Sequence, residues 1–409
     1  MDGDLRWFAA LREILAAAHL WRPEQLAATV SAALRPVGLG TRIWLTDYEQ
    51  VTLRALPDPA LPAADPLPID SSLAGRAFAR VRSLPGGDGR WYVPMIDATD
   101  RLGVVEFTGS LSEGDVERCE LVAGLIGHLI ATTTPRSDHL DVARRSQPMS
   151  PASELLWRLL PPLTSSSDAL VISAVVRPCY DIGGDGFDYV LDGSRAALVI
   201  LDAVGRGLSA GLACAVALAA IRATRRAGGD LAAQARAADT ALAEQFADVR
   251  FVTGVLAELD VESGRLRYLN AGHPRPLVLR DGRSVRELTG GVRLPLGIAE
   301  AAIPAAPSAS LEVAEELLQP GDRLLLHTDG VTEARTAGGD RFGVARLVDL
   351  VERHADAGLP APETVRRLAH AIAGHQGSAL ADDATLMLVQ WSEAAAARTV
   401  PVADRGNDE

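Results

Sequence analysis

The feature that most constrains this chain is a pair of aspartates at the two ends of one apolar run. Asp185 lies in the stretch 183–188, and Asp202 ends the apolar run 196–201. Gly184 and Gly186 flank Asp185, Gly205 lies three residues after Asp202, and glycine lets a ligand approach the backbone closely. A β-hairpin would bring the two carboxylates together, where they would repel each other unless a cation neutralised them. The stretch therefore predicts a hairpin that carries a metal site.

Two further aspartates occupy the same kind of position later in the chain. Asp329 follows an apolar strand and precedes Gly330, and Asp382 precedes the predicted last strand. Taken singly, each such aspartate more often marks a turn than a ligand. Aspartate oxygens without a neighbouring His or Cys cluster favour Mg²⁺ or Mn²⁺ over zinc. Together the four carboxylates predict a centre of two such ions, which would activate a water for attack on a phosphoryl group.

The bulk composition limits the partners and the compartment. At 409 residues the chain should form two or three domains, and its formal charge of -13 argues against a nucleic-acid or anionic-membrane partner. Cys119, Cys179 and Cys214 are too few and too scattered for a disulfide framework or a zinc site. The N-terminus has no apolar signal core, and the apolar run 211–221 is about half of the ~20 residues that span a membrane. We therefore expect a soluble, cytoplasmic protein.

The first third of the chain has the pattern of a small sensory domain. Helical periodicity in 5–34 precedes strands at 41–46, 51–56, 90–96 and 101–107, with a short helix at 71–81 and a closing helix at 115–132. This order, together with the segments 72–78, 93–95 and 102–105, resembles a GAF domain. The resemblance implies an α/β sensor at 1–133; domains of this family bind cyclic nucleotides, haem, bilins or other small molecules, and some bind nothing, so the sequence does not give a ligand. For any single residue of such a pocket, packing in the core is the favoured role.

The rest of the chain divides into a linker, a second domain and a tail. Residues 134–163 are predicted to be a linker that carries a short amphipathic helix at 151–160. From 164 to 392, strands joined by hairpins alternate with pairs of helices, which predicts an α+β sandwich of two antiparallel sheets covered by helices. Residues 393–409 are predicted to be a disordered tail.

The motifs of the second domain keep a characteristic order. They are Gly183-Gly184-Asp185, Asp202-x-x-Gly205-x-Gly207, Asn270-Ala271-Gly272-His273, Leu296-Gly297, Thr328-Asp329-Gly330, Phe342-Gly343 and Asp382-Asp383-x-Thr385. The set resembles the SpoIIE/RsbU branch of the metal-dependent protein phosphatases (PPM), over about 165–392. The resemblance implies an α-β-β-α sandwich with two Mn²⁺ or Mg²⁺ ions. It also implies hydrolysis of phosphoserine or phosphothreonine on a STAS-domain anti-sigma-factor antagonist, under control of the GAF-like domain.

The resemblance also assigns roles to individual residues. It makes Asp202 the bridging ligand with the Ala203 carbonyl beside it, gives Asp329 and Asp382 to one ion, and gives Asp185 to the other ion or its waters. Gly186 departs from the family, which usually has an aromatic residue there, and we expect it to loosen the local packing. As is typical of the bacterial branch, no histidine follows Asp202, so the proton donor to the leaving serine stays unassigned.

Several other residues are weaker candidates near the site. They are Gly184, Gly205, Arg206, His273 and Asp383. The favoured role of His273 is to fix the turn before Pro274, and that of Arg206 is an ordinary exposed arginine. Asp383 and Asp188 are expected to support turns or ligands rather than bind metal, and His327 is expected to be packed.

Two other functions stay open at the level of sequence. One is a non-catalytic protein that uses the second domain to bind a partner; the presence of all four aspartates weighs against it. The other is a phosphatase of a small phosphoester. A homodimer is also an expectation, because closing helices and linkers of this kind often pair. We further expect the helix at 151–160 and the helices after Asp202 to control the site by moving Asp202.

Overall fold

The computed structural model consists of two compact units. One comprises Met1–Gln147 with Ala397–Glu409, and the other Pro148–Ala396. The structure describes residues 2–19, 22–246, 248, 250–280, 284–298, 312–377 and 382–401.

The first unit is built on one antiparallel sheet. The strands are β1 Gly40–Thr46, β2 Thr52–Ala55, β3 Leu67–Pro68, β4 Leu84–Gly87, β5 Arg90–Asp97 and β6 Asp100–Thr108. They are ordered β3-β2-β1-β6-β5-β4 across the sheet. The helices are α1 Asp2–Ala18, α2 Leu26–Leu34, α3 Leu73–Arg80, α4 Glu113–Thr133 and α5 Asp138–Arg144.

Helices cover both faces of this sheet. Ile43 and Leu45 of β1 share one core with buried residues of α1, α2 and α4. Trp44, which points to the other face, packs with Phe78 of α3 in a second core. The predicted order of helix, sheet, inserted helix and closing helix is therefore present, while the assignment to the GAF family stays a prediction.

The segment after α4 differs from the predicted linker. Leu140 of α5 is fully buried in the core of the first unit. The Tyr48 hydroxyl donates to Asp141 at 2.7 Å, and the Arg144 guanidinium lies 4.6 Å from the centre of the Tyr48 ring. These contacts hold α5 on the sheet, so the connecting segment is shorter than the predicted 134–163.

The predicted start of the disordered tail at residue 393 is also wrong, because helical structure continues beyond it. Residues 393–399 form a short α-helix, Glu393–Ala396, followed by a 3-10 turn, Ala397–Thr399. Ala395 and Ala396 are buried, which gives this stretch a packed face that its alanine-rich composition did not indicate. The remainder of the predicted tail, 402–409, lies outside the described residues.

The second unit contains two further sheets. Their strands are β7 Thr164–Ser166, β8 Leu170–Arg177, β9 Asp185–Asp192, β10 Arg195–Ala203, β11 Val252–Asp260, β12 Arg265–Ala271, β13 Leu277–Arg280, β14 Ser284–Glu287, β15 Val292–Arg293, β16 Ala314–Leu317, β17 Arg323–His327 and β18 Ala384–Trp391. The first sheet has the order β15-β12-β11-β10-β9 with β16 beside β12, and the second has the order β14-β13-β17-β18-β8-β7. All pairs are antiparallel except the short pair β12–β15.

Helices cover the outer faces of these two sheets. The helices of this unit are α6 Pro151–Leu159, α7 Leu208–Arg226, α8 Leu231–Gln245, α9 Asp329–Thr332, α10 Gly343–Asp356, α11 Ala361–Gln376 and α12 Glu393–Ala396. Apolar residues of α7 and α8 pack with the first sheet, and the inner faces of the two sheets share that core. The other face of the second sheet packs with α10 and α11. The predicted α-β-β-α sandwich is confirmed.

Helix α7 is the one described helix that is long and apolar enough to span a membrane by length and composition. Its residues Ala210, Cys214, Ala217 and Ile221 are fully buried in the core. The core of the sandwich therefore accounts for its apolar composition.

Candidate metal centre

The predicted hairpin is present as β9 and β10, and it places its two aspartates side by side. Asp185 begins β9 and is the direct cross-strand neighbour of Asp202 in β10. Directly opposite residues of an antiparallel pair project to the same face. Only 1% of Asp185 is exposed, so its carboxylate is withdrawn from water.

Asp329 and Asp382 come together on the second sheet. Asp329 begins α9 two residues after the end of β17, and Asp382 lies two residues before the start of the neighbouring strand β18. Both line a cleft of about 230 Å³ together with Glu333 and Gln376. A Cβ atom on Gly330 would lie only 1.8 Å from the Asp383 carbonyl oxygen, so only glycine permits this close approach.

Hydrogen bonds join the two sheets at this edge. One carboxylate oxygen of Asp383 accepts from the backbone N–H groups of Gly183, Gly184 and Asp185 at 2.6, 2.7 and 3.1 Å. In the other direction, the Thr328 hydroxyl donates to Asp185 at 2.8 Å and accepts from the Thr385 N–H at 2.9 Å. Asp383 therefore fixes the loop before β9, as expected of a supporting residue, and Thr328 fixes the Asp185 carboxylate.

The carboxylates influence one another electrostatically. Burial, followed by the charges of Asp202 and Asp383, raises the pKa of Asp185 well above its usual value. Burial, followed by the charges of Asp329, Asp382 and Asp383, raises the pKa of Asp202 to about 7. The pKa of Asp329 is also raised, first by burial and then by Asp382 and Glu333. The edge therefore concentrates carboxylates, with Arg335 among the residues that line the cleft of Asp329 and Asp382.

The donor set is chemically suited to a hard divalent cation. Carboxylates and a backbone carbonyl are the ligands that Mg²⁺ and Mn²⁺ prefer. A Cβ atom on Gly184 would lie 2.6 Å from the Ala203 carbonyl oxygen, so glycine leaves that carbonyl accessible. Within the described ranges, however, no three His, Cys, Asp or Glu side chains are grouped closely enough to hold an ion as they stand. The residues thus fit the cation by charge and donor type.

Arg206 does little to neutralise this charge. One of its guanidinium nitrogens lies 3.9 Å from an oxygen of Asp382, and both side chains are mostly exposed. An exposed pair at that separation is screened by water and contributes little. Gly205 has a φ of +100°, a conformation that favours glycine, and so it shapes the turn that presents Arg206.

His273 fixes a turn, which was its favoured role. Asn270 accepts from the His273 N–H at 2.8 Å and donates to the His273 carbonyl at 3.0 Å. The ring Nδ1 lies 2.8 Å from the hydroxyl of Thr253, the cross-strand neighbour of Asp202. Burial, and then the nearby His327, lowers the pKa of His273 to about 3, so its ring is neutral at neutral pH.

Gly186 tightens the packing, contrary to our expectation. A Cβ atom at this position would lie 2.6 Å from the Sγ atom of Cys214 on α7. The glycine lets α7 approach β9 one residue after Asp185, and a larger side chain would push the helix away. The prediction of looser packing is therefore wrong.

The sequence did not reveal the hydrogen-bonding roles of Thr328 and Thr253. Thr328 directly precedes Asp329, and its position at the end of an apolar strand is the only local signal. The carboxylate that accepts the Thr328 hydrogen bond, Asp185, lies 143 positions earlier in the chain. This hydrogen bond therefore depends on how the two sheets assemble.

An α-β-β-α sandwich with aspartates at one edge of its sheets defines the class of metal-dependent protein phosphatases. The family model described as Stage II sporulation protein E (SpoIIE) matches residues 192–392. The second unit therefore contains a SpoIIE-type PPM domain, and the family predicted from the motifs is confirmed for this part of the chain.

Individual relatives are more distant. The chain is 24% identical to the phosphoserine phosphatase RsbU of Bacillus subtilis over 58% of its own length and 68% of RsbU. It is 26% identical to the phosphoserine phosphatase RsbP of the same organism over 47% of its length and 45% of RsbP. The solved SiaA-PP2C domain of Pseudomonas aeruginosa is 25% identical with a TM-score of 0.49, over 64% of this chain and 98% of that domain.

Proposed function

We propose that this protein is a metal-dependent phosphatase that hydrolyses phosphoserine or phosphothreonine on a protein. The observation that carries the proposal is the convergence of Asp185, Asp202, Asp329 and Asp382 at one edge of a SpoIIE-type domain. The pKa values of Asp185, Asp202 and Asp329 are raised by burial and then by neighbouring carboxylates, whose repulsion a divalent cation would relieve.

The proposed metal ligands are those that the family resemblance implies. Asp202 would bridge two Mn²⁺ or Mg²⁺ ions with the Ala203 carbonyl beside it, Asp329 and Asp382 would hold one ion, and Asp185 would serve the other ion or its waters. Such ions supply an activated water and neutralise charge on the phosphoryl group. Asp383 and Thr328 position the ligands through their hydrogen bonds to the loop 183–185 and to Asp185.

The proposed substrate is a phosphorylated STAS-domain anti-sigma-factor antagonist in the cytoplasm. Two relatives, RsbU and RsbP, are phosphoserine phosphatases by name, which supports a phosphoserine substrate. The first unit is proposed to be a GAF-like sensor that regulates the phosphatase.

Helix α6 is the proposed route of that regulation within the second unit. The Trp157 indole N–H donates to the Cys179 carbonyl at 2.7 Å, and the Ser153 hydroxyl accepts from the Ile182 N–H at 2.7 Å. Both contacts are made to the segment that leads directly into Asp185. A displacement of α6 would therefore be transmitted to the backbone that carries this carboxylate.

The first test is Mn²⁺-dependent hydrolysis of p-nitrophenyl phosphate by the full-length protein. Asp329→Asn should lower kcat by roughly a thousandfold, about 4 kcal/mol of barrier, because it removes one charged ligand. Asp349→Asn, an exposed aspartate on α10, is the matched control and should keep full activity. Full activity in Asp329→Asn would overturn the assignment of the site.

The second test separates the substrate classes. The full-length protein is given a phosphorylated STAS protein and, separately, free phosphorylated metabolites, each with Mn²⁺. Faster hydrolysis of the phosphoprotein supports the proposal, whereas a preference for a metabolite indicates a small-molecule phosphatase. Absence of hydrolysis with every substrate, including p-nitrophenyl phosphate, indicates a non-catalytic binding protein.

A further inference from the structure

A second cleft lies at the opposite end of the same hairpin. Its volume is about 750 Å³, and four arginines line it: Arg195, Arg225, Arg226 and Arg267. We call it the arginine cleft. The seven residue steps of β9 from Asp185 to Asp192 span roughly 23 Å, so this cleft is separate from the metal centre.

Three of the four guanidinium groups keep donors available. Arg195 and Arg226 make no side-chain hydrogen bond or ion pair within the described part of the chain. Arg225 uses one nitrogen to donate to Asp188 at 2.9 Å, while its Nη1 is buried without any partner. A buried guanidinium N–H without an acceptor is costly, and Arg225 is one of the residues that line the cleft.

Two of the three acidic residues of the cleft lie beside its own arginines, and the third caps a helix. The Asp230 carboxylate accepts from the Ala233 N–H at 2.8 Å and so caps α8. Glu258 lies 3.9 Å from a guanidinium nitrogen of Arg267. Asp192 is the cross-strand neighbour of Arg195. The lining thus carries four arginines and three carboxylates, while Asp188 pairs with Arg225 and Asp260 lies opposite Arg195 on the neighbouring strand.

The floor of the cleft is apolar. Val190 of β9 and Ala197 of β10 are direct cross-strand neighbours and both line the cleft. Val190 is 36% exposed, which is unusual for a valine on the face of the sheet that α7 and α8 cover. Small-molecule sites typically combine such an apolar surface with a few placed polar groups, in a volume of roughly 300–1,000 Å³.

We propose that the arginine cleft binds an organic phosphate of nucleotide size. The phosphate groups would accept hydrogen bonds from Arg195, Arg226 and the Nη1 of Arg225, because guanidinium groups pair well with phosphate oxygens. The ring of the ligand would lie on Val190 and Ala197. The cleft also contacts the end of α7, the helix that begins just after Asp202, so a ligand there touches elements that carry the metal centre.

The test is calorimetric titration of the full-length, Mn²⁺-free protein with ATP, tripolyphosphate and adenosine as probes. Without Mn²⁺ the carboxylates of the metal centre repel these anions, so binding there does not interfere. ATP should bind with one-to-one stoichiometry, tripolyphosphate more weakly and adenosine not at all. The double variant Arg195→Gln/Arg226→Gln should weaken ATP binding by at least about tenfold.

The control is Arg76→Gln/Arg90→Gln, which removes the same charge from exposed positions of the first unit and should leave the affinity unchanged. Arg225 is left intact because it also pairs with the buried Asp188. Equal ATP affinity in both double variants, or no ATP binding up to millimolar concentrations, would overturn the proposal. Tripolyphosphate binding as tight as that of ATP would overturn the contact of the ring with the apolar floor.

Discussion

Two aspartates of strand β9, three residues apart, are buried to almost the same extent but have opposite surroundings. Asp188 is 3% exposed and pairs with Arg222 at 2.7 Å and Arg225 at 2.9 Å, both on α7. Asp185 is 1% exposed, and its neighbours are a threonine hydroxyl and further carboxylates. Because the side chains of a strand alternate, the two residues face opposite sides of the sheet.

This contrast separates a structural carboxylate from a proposed metal ligand. A buried charge is expensive unless it is paired, and the chain supplies two cations to Asp188. For Asp185 and Asp202 the described residues supply no comparable cation, and the pKa values rise instead. A metal ligand is expected to be a buried carboxylate whose negative charge no cation of the chain neutralises.

The largest expected effect is on stability at the structural carboxylate. Asp188→Asn should lower the free energy of unfolding by roughly 3–5 kcal/mol, because it leaves two buried guanidinium groups without their counter-charge. Asp185→Asn in the metal-free protein should change it by less than about 1 kcal/mol, since asparagine resembles the protonated acid that burial already favours. Urea unfolding of both variants with EDTA measures this difference. Equal losses would remove the distinction between the two aspartates.

A smaller effect is expected at Asp383, which joins the two sheets. Asp383→Ala leaves the N–H groups of Gly183, Gly184 and Asp185 without their acceptor and should cost roughly 2–3 kcal/mol. Hydrogen exchange should show lost protection for these three amides. Asp383→Asn keeps one acceptor oxygen and should lose less. Unchanged protection in Asp383→Ala would show that the loop is held by other contacts.

The pH dependence of stability tests the uncompensated charge directly. Asp202 has a folded-state pKa of about 7 against an ordinary value of 3.8, so the folded state holds its proton to higher pH. The contribution of Asp202 to the free energy of unfolding is therefore fully present below about pH 4 and is lost as the pH rises towards 7. The loss should be on the order of 1–2 kcal/mol after allowance for solvent screening.

Thermal unfolding of the metal-free protein between pH 4.5 and 7.5 measures that loss. Asp202→Asn should flatten the curve, and Mn²⁺ should restore the stability of the unsubstituted protein at pH 7.5 but not that of the variant. A stability that rises over this range in the unsubstituted protein and equally in Asp202→Asn would mean that Asp202 is compensated within the chain.

The sequence was sufficient to predict the four aspartates as candidate ligands and the sandwich as the fold, because both leave local signals. Asp185, Asp329 and Asp382 each adjoin a glycine or another aspartate, Asp202 ends the apolar run 196–201, and the strands of the second domain are bounded by turn residues. The difference between Asp185 and Asp188 leaves no such signal. It depends on which face of β9 meets α7, and the two arginines lie 34 and 37 positions further along the chain.

Gly186 and α5 illustrate the same limit. The role of Gly186 follows from the approach of Cys214, and the position of α5 follows from the burial of Leu140. Neither contact is visible in local composition, since a polar helix beside a proline has the same appearance as a linker. The predictions therefore failed at positions whose role depends on packing between elements that are distant in sequence.

The smallest expected effect concerns Thr328, and it distinguishes the two roles of that hydroxyl. Thr328→Val removes the donor to Asp185 and the acceptor of the Thr385 N–H, at a cost of about 1 kcal/mol of stability. Thr328→Ser keeps the hydroxyl and should restore that stability. If Asp185 serves a cation, loss of the hydrogen bond that orients it should also weaken Mn²⁺ binding by roughly tenfold or more. Calorimetric titration of both variants with Mn²⁺ gives the answer, because a purely structural hydroxyl would change stability and leave the metal affinity intact.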